Sequence, residues 1–312
     1  MTLISAERVR VEIPDSPPLV LIDDVSLAVA PGEFVAIVGE SGAGKTTLAT
    51  ALLQHLRPPA RMTAGEIREK GTARHTEDVA GGRVRIGYIV SNPASHLDPL
   101  QRIGDQVAQA YRYHQKLPKR ESRTRAAEAL RAMRIADVDR LMRAYPHQIS
   151  GGMAQRVLIA MALATDPELL IADEPVTGLD VTLQRDVLDE IVRQGRATGA
   201  AVIFVTHDLG LAAAYCSRVV VMYSGRIVED APTAEFFERP RHPYSAQLVA
   251  AVAGDTTASA RDRRRDGAAH LCPYLPFCPV AFDRCSVAMP DLVAVGRRAV
   301  RCHHEDERGA PA

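Results

Sequence analysis

Residues 39–46 read GESGAGKT, a glycine-rich run that ends in a lysine and a threonine and could bind a phosphorylated ligand. Glycines allow backbone N–H groups to turn inward around phosphate oxygens, and the N-terminus of a following helix adds a favourable dipole. In this pattern Lys45 is expected to reach the β- and γ-phosphates, and Thr46 to ligate Mg²⁺. A plain turn between a strand and a helix is the alternative. The apolar residues on both sides, with Lys-Thr in register, favour a nucleotide-phosphate site.

A pair of acidic residues ends another apolar run, LLIADEP at residues 169–175. Asp173 would hold Mg²⁺ through water. Glu174 could polarise an attacking water molecule as a general base. Alone, the pair could equally be an acidic helix cap after a strand. In a chain that also carries the glycine-rich run, it predicts hydrolysis of a nucleotide phosphate.

The elements that must position these residues are predicted as strands followed by helices. The segment from Phe34 reads as strand, Gly-rich turn and helix, and the runs PELLIAD and AAVIFVTHD suit buried parallel strands with functional groups at their C-terminal ends. RVVVMYSGRIVE predicts two strands joined by a hairpin turn at Ser224 and Gly225. These patterns indicate an α/β fold with parallel strands.

Residues 102–145 have helical spacing, and many arginines lie opposite the apolar positions Ala126, Leu130, Met133, Val138 and Leu141. We interpret the arginines as a solvated helix face rather than a nucleic-acid site. Residues 55–83 are polar and predict a variable lobe, and GDTTASARDRRRDGAA after Ala253 predicts a linker.

The overall composition excludes several classes of protein. The chain has 312 residues, with 38 Lys and Arg balancing 38 Asp and Glu, so coating nucleic acid or an anionic membrane is not expected. Hydrophobic residues make up 46% and charged residues 24%, as in globular proteins. The longest apolar run, Val157–Ala164, is far shorter than the roughly 18 residues that indicate a membrane span. No basic, then apolar N-terminal leader is visible, so we expect a chain that is neither exported nor embedded in a membrane.

ISGGMAQRV at residues 149–157 resembles the signature motif of ABC-type ATPases. VTGLD at residues 176–180 is similar to the D-loop of that family, and VTHD around His207 to its switch histidine. With the glycine-rich run and LLIADEP, five motifs occur in the family's order between residues 39 and 208. The resemblance implies an α/β P-loop ABC ATPase core with an inserted helical subdomain near residues 92–165 and a small C-terminal Cys-rich extension.

The family resemblance also implies the roles of individual residues. Two ATPase subunits would face each other head to tail, with ATP between the phosphate loop of one and the signature of the other. Glu174 and His207 would be catalytic, and Asp180 would line the subunit interface. Thr46 and Asp173 would hold Mg²⁺. ATP would be bound in its own subunit by Gly39, Glu40, Ser41, Gly42, Ala43, Gly44, Lys45, Thr46, Thr47 and Ser91, and in the partner subunit by Ser150, Gly151, Gly152 and Met153.

Longer segments resemble one branch of the family, the ATPases of oligopeptide, dipeptide and nickel importers. They are the run from Gly151 to Gln184, HDLGLAAAYCSRVVVMYSGRIVE and RHPYSAQLVAAV at residues 241–252. The resemblance implies uptake of peptides or a related small solute, nickel or a metal chelate included. It implies two permease subunits, a second and different ATP-binding subunit, an extracytoplasmic solute-binding protein and a peripheral position on the cytoplasmic face of the inner membrane, with no nucleic acid. The expected domains are 1–253, the linker 254–270 and the Cys-rich extension 271–312.

Four cysteines after residue 270, Cys272, Cys278, Cys285 and Cys302, form a C-x5-C-x6-C-x16-C pattern. Their number is that required by a [4Fe–4S] cluster, and four-thiolate zinc is the alternative. The lack of a short C-x2-C pair favours iron–sulfur, as does the resemblance of CPYLPFCPVAFDRC to a box of the importer branch in which cysteines can bind a [4Fe–4S] cluster. Ordinary thiols or an oxidised pair remain alternatives. His303 and His304 are possible substitute ligands, although we expect a solvated tail there. Cys216 is expected to be a small core residue.

Two positions depart from the family's pattern. The chain has no aromatic residue before Phe34, so Ile13 stands near the place of the ring that usually stacks on adenine. In YIVSNPASHLDP, Ser91 stands where a glutamine usually contacts Mg²⁺ and the γ-phosphate. The shorter serine predicts slower hydrolysis at this site, with the partner subunit carrying part of the turnover.

Three other functions are compatible with parts of the sequence. The first is the ATPase subunit of an exporter, against which the HPYSAQL element and the Cys-rich tail argue. The second is a DNA-repair or translation ABC protein, which usually has a coiled-coil insertion or two tandem cores, and this sequence shows neither. The third alternative, a redox-sensing ATP-binding regulatory or scaffold protein, would make a C-terminal Fe–S or zinc site the main function.

Overall fold

The computed structural model describes residues 2–73, 84–91, 93–176, 179–254 and 271–304. Residues 255–270 of the predicted linker, the middle of the D-loop segment at 177–178 and the end of the Cys-rich extension at 305–312 lie outside the described residues.

The chain divides into two compact units, and each is assembled from separate stretches of sequence. The first unit comprises the described residues within 1–4, 29–33 and 69–204. The second comprises those within 5–28, 34–68 and 205–312. The domain boundaries predicted from the sequence are a different partition and stay a prediction.

The strands and helices alternate from β7 to β9 and come in runs elsewhere in the described residues. Their bounds are β1 Ile4–Ile13, β2 Leu19–Val29, β3 Phe34–Val38, β4 Arg61–Glu69, β5 Thr72–Ala73, β6 Ile86–Ile89, β7 Leu169–Asp173, β8 Ala201–Thr206, β9 Arg218–Tyr223, β10 Arg226–Pro232, β11 Val293–Val295 and β12 Arg298–Val300. The helices are α1 Lys45–Leu52, α2 Ile103–His114, α3 Lys119–Ala132, α4 Val138–Arg143, α5 Gly151–Leu163, α6 Val181–Thr198, α7 Leu209–Tyr215, α8 Thr233–Glu238, α9 Pro243–Val252 and α10 Arg284–Val287.

The first unit combines a parallel sheet segment with a group of helices. Its strands run in the order β8, β7, β6, and β6 pairs with β7 in parallel with Tyr88 opposite Ile171. All five residues of β7 are buried, as expected for a strand covered on both faces. Helices α2 to α5 fall within the segment predicted as the helical subdomain.

The apolar positions predicted for residues 102–145 are buried, but they belong to more than one helix. The chain turns at Pro118, which precedes α3, and at Asp137, whose side chain accepts the N–H of Arg140 at the start of α4. The buried set is at most 5% exposed and consists of Ala126, Leu130, Met133, Val138 and Leu141. The periodicity therefore located a core face without showing where the helices break.

In the second unit, strands run in the order β11, β12, β10, β9, β3. The buried strand β3 pairs in parallel with β9, and β9 pairs with β10 in an antiparallel hairpin. Ser224 and Gly225 both have positive φ, 47° and 78°, which is the backbone of a tight hairpin turn. The predicted hairpin is confirmed at these two residues.

Part of the C-terminal extension continues this sheet. Strand β12 pairs with β10, Val300 lying opposite Glu229, and β11 pairs with β12. Arg301 is 3% exposed and donates to the carbonyls of Ile227, Pro290 and Asp24 and to the Asp24 carboxylate, at 3.0–3.2 Å. These contacts fasten residues 293–301 to the rest of the second unit.

No helix among the described parts of the chain is long and apolar enough to span a membrane.

Candidate functional site

The phosphate loop, residues 39–46, joins the buried strand β3 to helix α1 in the second unit. At Gly39, with φ at 152°, a Cβ would lie 2.2 Å from the carbonyl oxygen of Met222. At Gly44, with φ at 94°, it would lie 2.6 Å from Ile22 Cγ2. Only glycine fits either position, because both the backbone conformation and the close neighbours exclude a side chain. The strand, loop and helix predicted from the sequence are confirmed.

Lys45 is held inside the loop. Its side chain is 7% exposed, and Nζ donates to the carbonyl oxygens of Gly39 and Glu40, each at 2.8 Å. The loop is closed further by the Ala43 N–H, which donates to Glu40 O at 3.2 Å. The exposed members, arranged around this buried ammonium, are Glu40, Ser41, Gly42 and Thr46. The arrangement provides one buried cation and a helix start with which to bind an anion.

A tyrosine far along the chain also contacts the loop. The Glu40 N–H donates to Tyr244 Oη at 3.0 Å, and the Tyr244 side chain is 1% exposed. Tyr244 belongs to the HPYSAQL element, whose sequence indicates a branch of the family and no contact with the phosphate loop. Because the two residues are 204 positions apart, no local pattern could have indicated this contact.

In the first unit, the two predicted catalytic carboxylates lie at the end of β7. Asp173 is 2% exposed, and the hydroxyl of Tyr88 on β6 donates to Asp173 Oδ2 at 3.3 Å. Glu174 follows it, half-buried, with a φ of 47°. A left-handed conformation is unusual for glutamate and costs of order 1–3 kcal/mol, a form of strain that clusters at functional sites.

Ser91 lies two residues beyond β6 and is exposed. Its preceding residue is held by Gln155 of α5, whose side-chain Nε2 donates to Val90 O at 3.3 Å. This contact fixes the chain immediately before Ser91 to the helix that starts at the signature motif.

The signature motif forms the N-terminus of α5. Ser150 Oγ accepts the N–H of Met153 at 3.3 Å and so caps the helix. Ser150 and Gly151 are exposed, while Gly152 is half-buried and a Cβ there would lie 2.8 Å from Leu179 Cδ2. The motif therefore presents a hydroxyl and the positive end of a 13-residue helix at the surface of its unit.

Two further predicted residues lie next to helix N-termini. Asp180 caps α6, its Oδ1 accepting the N–H of Leu183 at 3.0 Å. His207 is exposed between β8 and α7, and the following Asp208 caps α7 through the N–H groups of Gly210 and Leu211. The turn that carries His207 is thus fixed by its neighbour.

Within each unit the structure groups part of the predicted set. The second unit holds the phosphate loop and His207, and the first holds Ser91, the signature residues, Asp173, Glu174 and Asp180. Ile13, near the expected adenine position, is the half-buried last residue of β1.

The four thiols of the extension lie close enough to one another to affect the pKa of Cys302. Burial, and secondarily the other three cysteines, raise the pKa of Cys302 to about 11, and burial also raises the pKa of Cys272. The Cys272 N–H donates to Cys285 O at 3.3 Å. However, no three His, Cys, Asp or Glu side chains of the described residues are arranged to hold a metal ion. This geometry does not support the predicted zinc or [4Fe–4S] ligand set.

Two predictions about single residues of the second unit have different outcomes. His303 is 3% exposed, with Nε2 lying 2.9 Å from Ala288 O, so the expected solvated tail is wrong at that position. Cys216 is buried at the end of α7, and burial raises its pKa to about 12. It is the small core residue that the sequence predicted.

The family model described as ABC transporter matches residues 22–177, half of the chain. A putative peptide import ATP-binding protein of Brucella melitensis is 40% identical, over 91% of this chain and 92% of its own. The dipeptide transport ATP-binding protein DppD of Haemophilus influenzae is 34% identical, over 100% and 98%. The oligopeptide transport ATP-binding protein OppD of Mycobacterium tuberculosis is 40% identical over 90% of this chain, which covers 48% of that longer protein.

Two solved structures of ATP-binding proteins are also similar to this chain. A dimeric ATP-binding cassette in a post-hydrolysis state, bound to ADP and Pi, has a TM-score of 0.67 and 25% identity over 74% of this chain and 98% of its own. CbiO1 from Clostridium perfringens, at 24% identity, shares the fold, with a TM-score of 0.64 over 82% and 97%.

The chain belongs to the ABC transporter family, in the class of P-loop ATPases. It is an ATP-hydrolysing ABC-type ATPase, and that activity implies ATP and Mg²⁺. The family and the α/β cassette fold predicted from the sequence are therefore confirmed.

Proposed function

We propose that the chain powers import of peptides, as an ATP-hydrolysing subunit of an ABC importer. The observation that carries the proposal is similarity from end to end: the dipeptide transport protein of Haemophilus influenzae aligns over 100% of this chain. The relative from Brucella melitensis is likewise named for peptide import. Neither supports the nickel or metal-chelate solutes, which stay predictions from the sequence.

Within its own subunit, we assign the bound nucleotide to the phosphate loop and to the carboxylates after β7. Lys45 would exchange its contacts with the loop carbonyls for the β- and γ-phosphates, and Thr46 would ligate Mg²⁺. Asp173 would hold Mg²⁺ through water while Glu174 removes a proton from the attacking water. His207 would contact the γ-phosphate.

Two cassettes are needed for the complete reaction under this proposal. The exposed Ser150 and Gly151 at the start of α5, followed by Gly152 and Met153, would bind the γ-phosphate of the nucleotide held by the partner cassette. Asp180 would line the interface between cassettes. ATP would draw the two cassettes together, and hydrolysis would separate them again.

The remaining partners follow from the importer proposal. They are two permease subunits, on which the helices α2 to α5 would dock, a second and different ATP-binding subunit, and an extracytoplasmic solute-binding protein. The chain would lie peripherally on the cytoplasmic face of the inner membrane. The balance of 38 basic and 38 acidic residues supports partners other than nucleic acid.

The zinc or [4Fe–4S] site on Cys272, Cys278, Cys285 and Cys302 stays a separate prediction. It is tested by measuring iron, acid-labile sulfide and zinc in the full chain purified without oxygen. About four irons and four sulfides per chain would support the cluster, and one zinc would support the alternative. If the chain contains neither iron and sulfide nor zinc, the four cysteines are ordinary thiols.

The importer proposal is tested by reconstituting the chain with its permeases and partner ATPase in proteoliposomes and supplying peptide-loaded binding protein. We expect uptake of a labelled peptide that depends on ATP and is lost with Lys45→Ala. A matched run with nickel in place of peptide should show no uptake. ATP-dependent nickel uptake without peptide uptake would overturn the peptide assignment while leaving the ATPase intact.

A further inference from the structure

The C-terminal extension contacts the phosphate loop indirectly, through a group of aromatic rings in the second unit that pack edge to face or at a tilt. This tyrosine cluster consists of Tyr223, Tyr244 and Tyr274, with His242 beside it. The Tyr274 ring centroid lies 5.3 Å from that of Tyr223, 5.6 Å from that of Tyr244 and 5.7 Å from that of His242. Tyr274 lies between Cys272 and Cys278, so the loop that carries these cysteines contributes one ring to the cluster.

Tyr274 is fixed at both ends. Its ring is 5% exposed, and its hydroxyl donates to Gln247 Oε1 of α9 at 2.6 Å. Helix α9 also carries Tyr244, whose backbone N–H donates to His242 Nδ1 at 3.1 Å. The extension and the start of α9 therefore hold each other in place around the ring of Tyr244.

Tyr244 in turn fixes the second residue of the phosphate loop. Its ring packs on Tyr223 at 4.6 Å, and its hydroxyl accepts the Glu40 N–H at 3.0 Å. The carbonyl of Glu40, together with that of Gly39, accepts the ammonium of Lys45. Fixing Glu40 thus fixes an acceptor that places the lysine.

We propose that Tyr244 is a positioning residue for the phosphate loop and that the ring of Tyr274 makes nucleotide affinity depend on the C-terminal extension. The proposal rests on the role assigned above to residues 39–46. A loop held in its binding conformation before the nucleotide arrives loses less conformational freedom on binding, so a loosened loop should bind ATP and ADP more weakly.

The direct test is Tyr244→Phe in the full chain, which keeps the ring and removes the hydroxyl. Because one neutral hydrogen bond is lost, we expect the Kd for ATP and for ADP to rise about two- to twelvefold. Exchange of the Glu40 amide with solvent should accelerate, while amides of β7 and β9 keep their rates. Tyr113→Phe, on a 69% exposed ring of α2, is the matched control and should change neither measurement.

A second pair of variants tests the extension. Tyr274→Phe keeps the ring against Tyr244 and should bind nucleotide within about twofold of the unmodified chain. Tyr274→Ala removes the ring and should weaken ATP binding to the level of Tyr244→Phe. Combining Tyr274→Ala with Tyr244→Phe should add little, because both changes act on the same hydrogen bond.

Several outcomes would overturn the proposal. An unchanged Kd in Tyr244→Phe would do so, and so would faster amide exchange spread evenly over the second unit, because that result shows a purely structural role. Lys45→Ala separates this inference from the proposed function. If Lys45→Ala binds ATP normally, the phosphate-loop assignment fails. If Lys45→Ala loses ATP binding but Tyr244→Phe leaves the Kd unchanged, only the positioning role fails.

Discussion

At the scale of single residues, the phosphate loop shows how much local sequence can specify. Gly39, Gly44 and Lys45 occur within seven positions, and together with the apolar residues on both sides they predict a strand, a turn and a helix. The contact between Glu40 and Tyr244 could not be predicted in this way, since it depends on where α9 packs. A motif predicts the roles of residues that are close in sequence, whereas contacts between residues that are distant in sequence depend on the fold.

Gly39→Ala should disable the loop. The added Cβ would lie 2.2 Å from Met222 O, so the loop must move or the chain must lose stability of about 2 kcal/mol or more. We expect ATP binding, measured by calorimetry, to fall below detection. Gly71→Ala is the control, because Gly71 also has a positive φ, 80°, but no atom within 4 Å of the added group. Normal ATP binding by Gly39→Ala would contradict the geometry.

At the scale of elements, helix starts carry much of the predicted site. Ser150, Asp180 and Asp208 are all N-caps in the structure, so each has a structural role besides any role in catalysis. The strands that end at Asp173 and before His207 were predictable, because long buried apolar runs read as parallel strands. The breaks between α2, α3 and α4 were not, since a continuous periodicity ran across them.

Asp180→Asn separates the two roles of that residue. Asparagine caps helices about as well as aspartate, so the melting temperature should stay within about 1 °C. If Asp180 lines the interface between cassettes, ATP turnover by the assembled complex should still fall severalfold. A variant that keeps both its melting temperature and its turnover would show that Asp180 is only a helix cap.

His242, at the start of α9, makes the free energy of unfolding depend on pH. Burial lowers its pKa to about 3 from an ordinary 6.5, so the folded chain holds this ring neutral while the unfolded chain protonates it below pH 6.5. Its contribution to stability is therefore present above pH 6.5 and is lost as the pH falls toward 3. The slope is at most about 1.4 kcal/mol per pH unit.

Urea unfolding of the full chain at pH 5 and pH 7 measures this dependence. His242→Asn keeps an acceptor for the Tyr244 N–H but cannot titrate. We expect the stability lost between pH 7 and pH 5 to be smaller in the variant than in the unmodified chain. Equal losses would show that His242 is not buried in its neutral form.

At the scale of the whole molecule, the units are assembled from segments far apart in the sequence, and only part of this could be predicted. Order and type of the core elements followed from the motifs. The motifs did not predict that the extension joins the second unit. That junction depends on the pairing of β12 with β10 and on the contacts of Arg301, which belong to none of the motifs. Residues 293–300 of the predicted Cys-rich extension continue the sheet of the second unit, while the predicted boundaries of that extension stay a prediction.

Under the proposed function, this chain's own site hydrolyses ATP to drive import. The most direct measurement is ATP turnover by the reconstituted complex, with peptide-loaded binding protein, for Glu174→Gln and for Glu238→Gln. Glu238 is an exposed residue at the end of α8 and serves as the matched control. Glutamine cannot accept the proton of the attacking water, so we expect turnover to fall severalfold in Glu174→Gln, with the remainder coming from the partner cassette, and to stay unchanged in Glu238→Gln. Undiminished turnover in Glu174→Gln would show that the partner cassette does the hydrolysis, and would contradict the account.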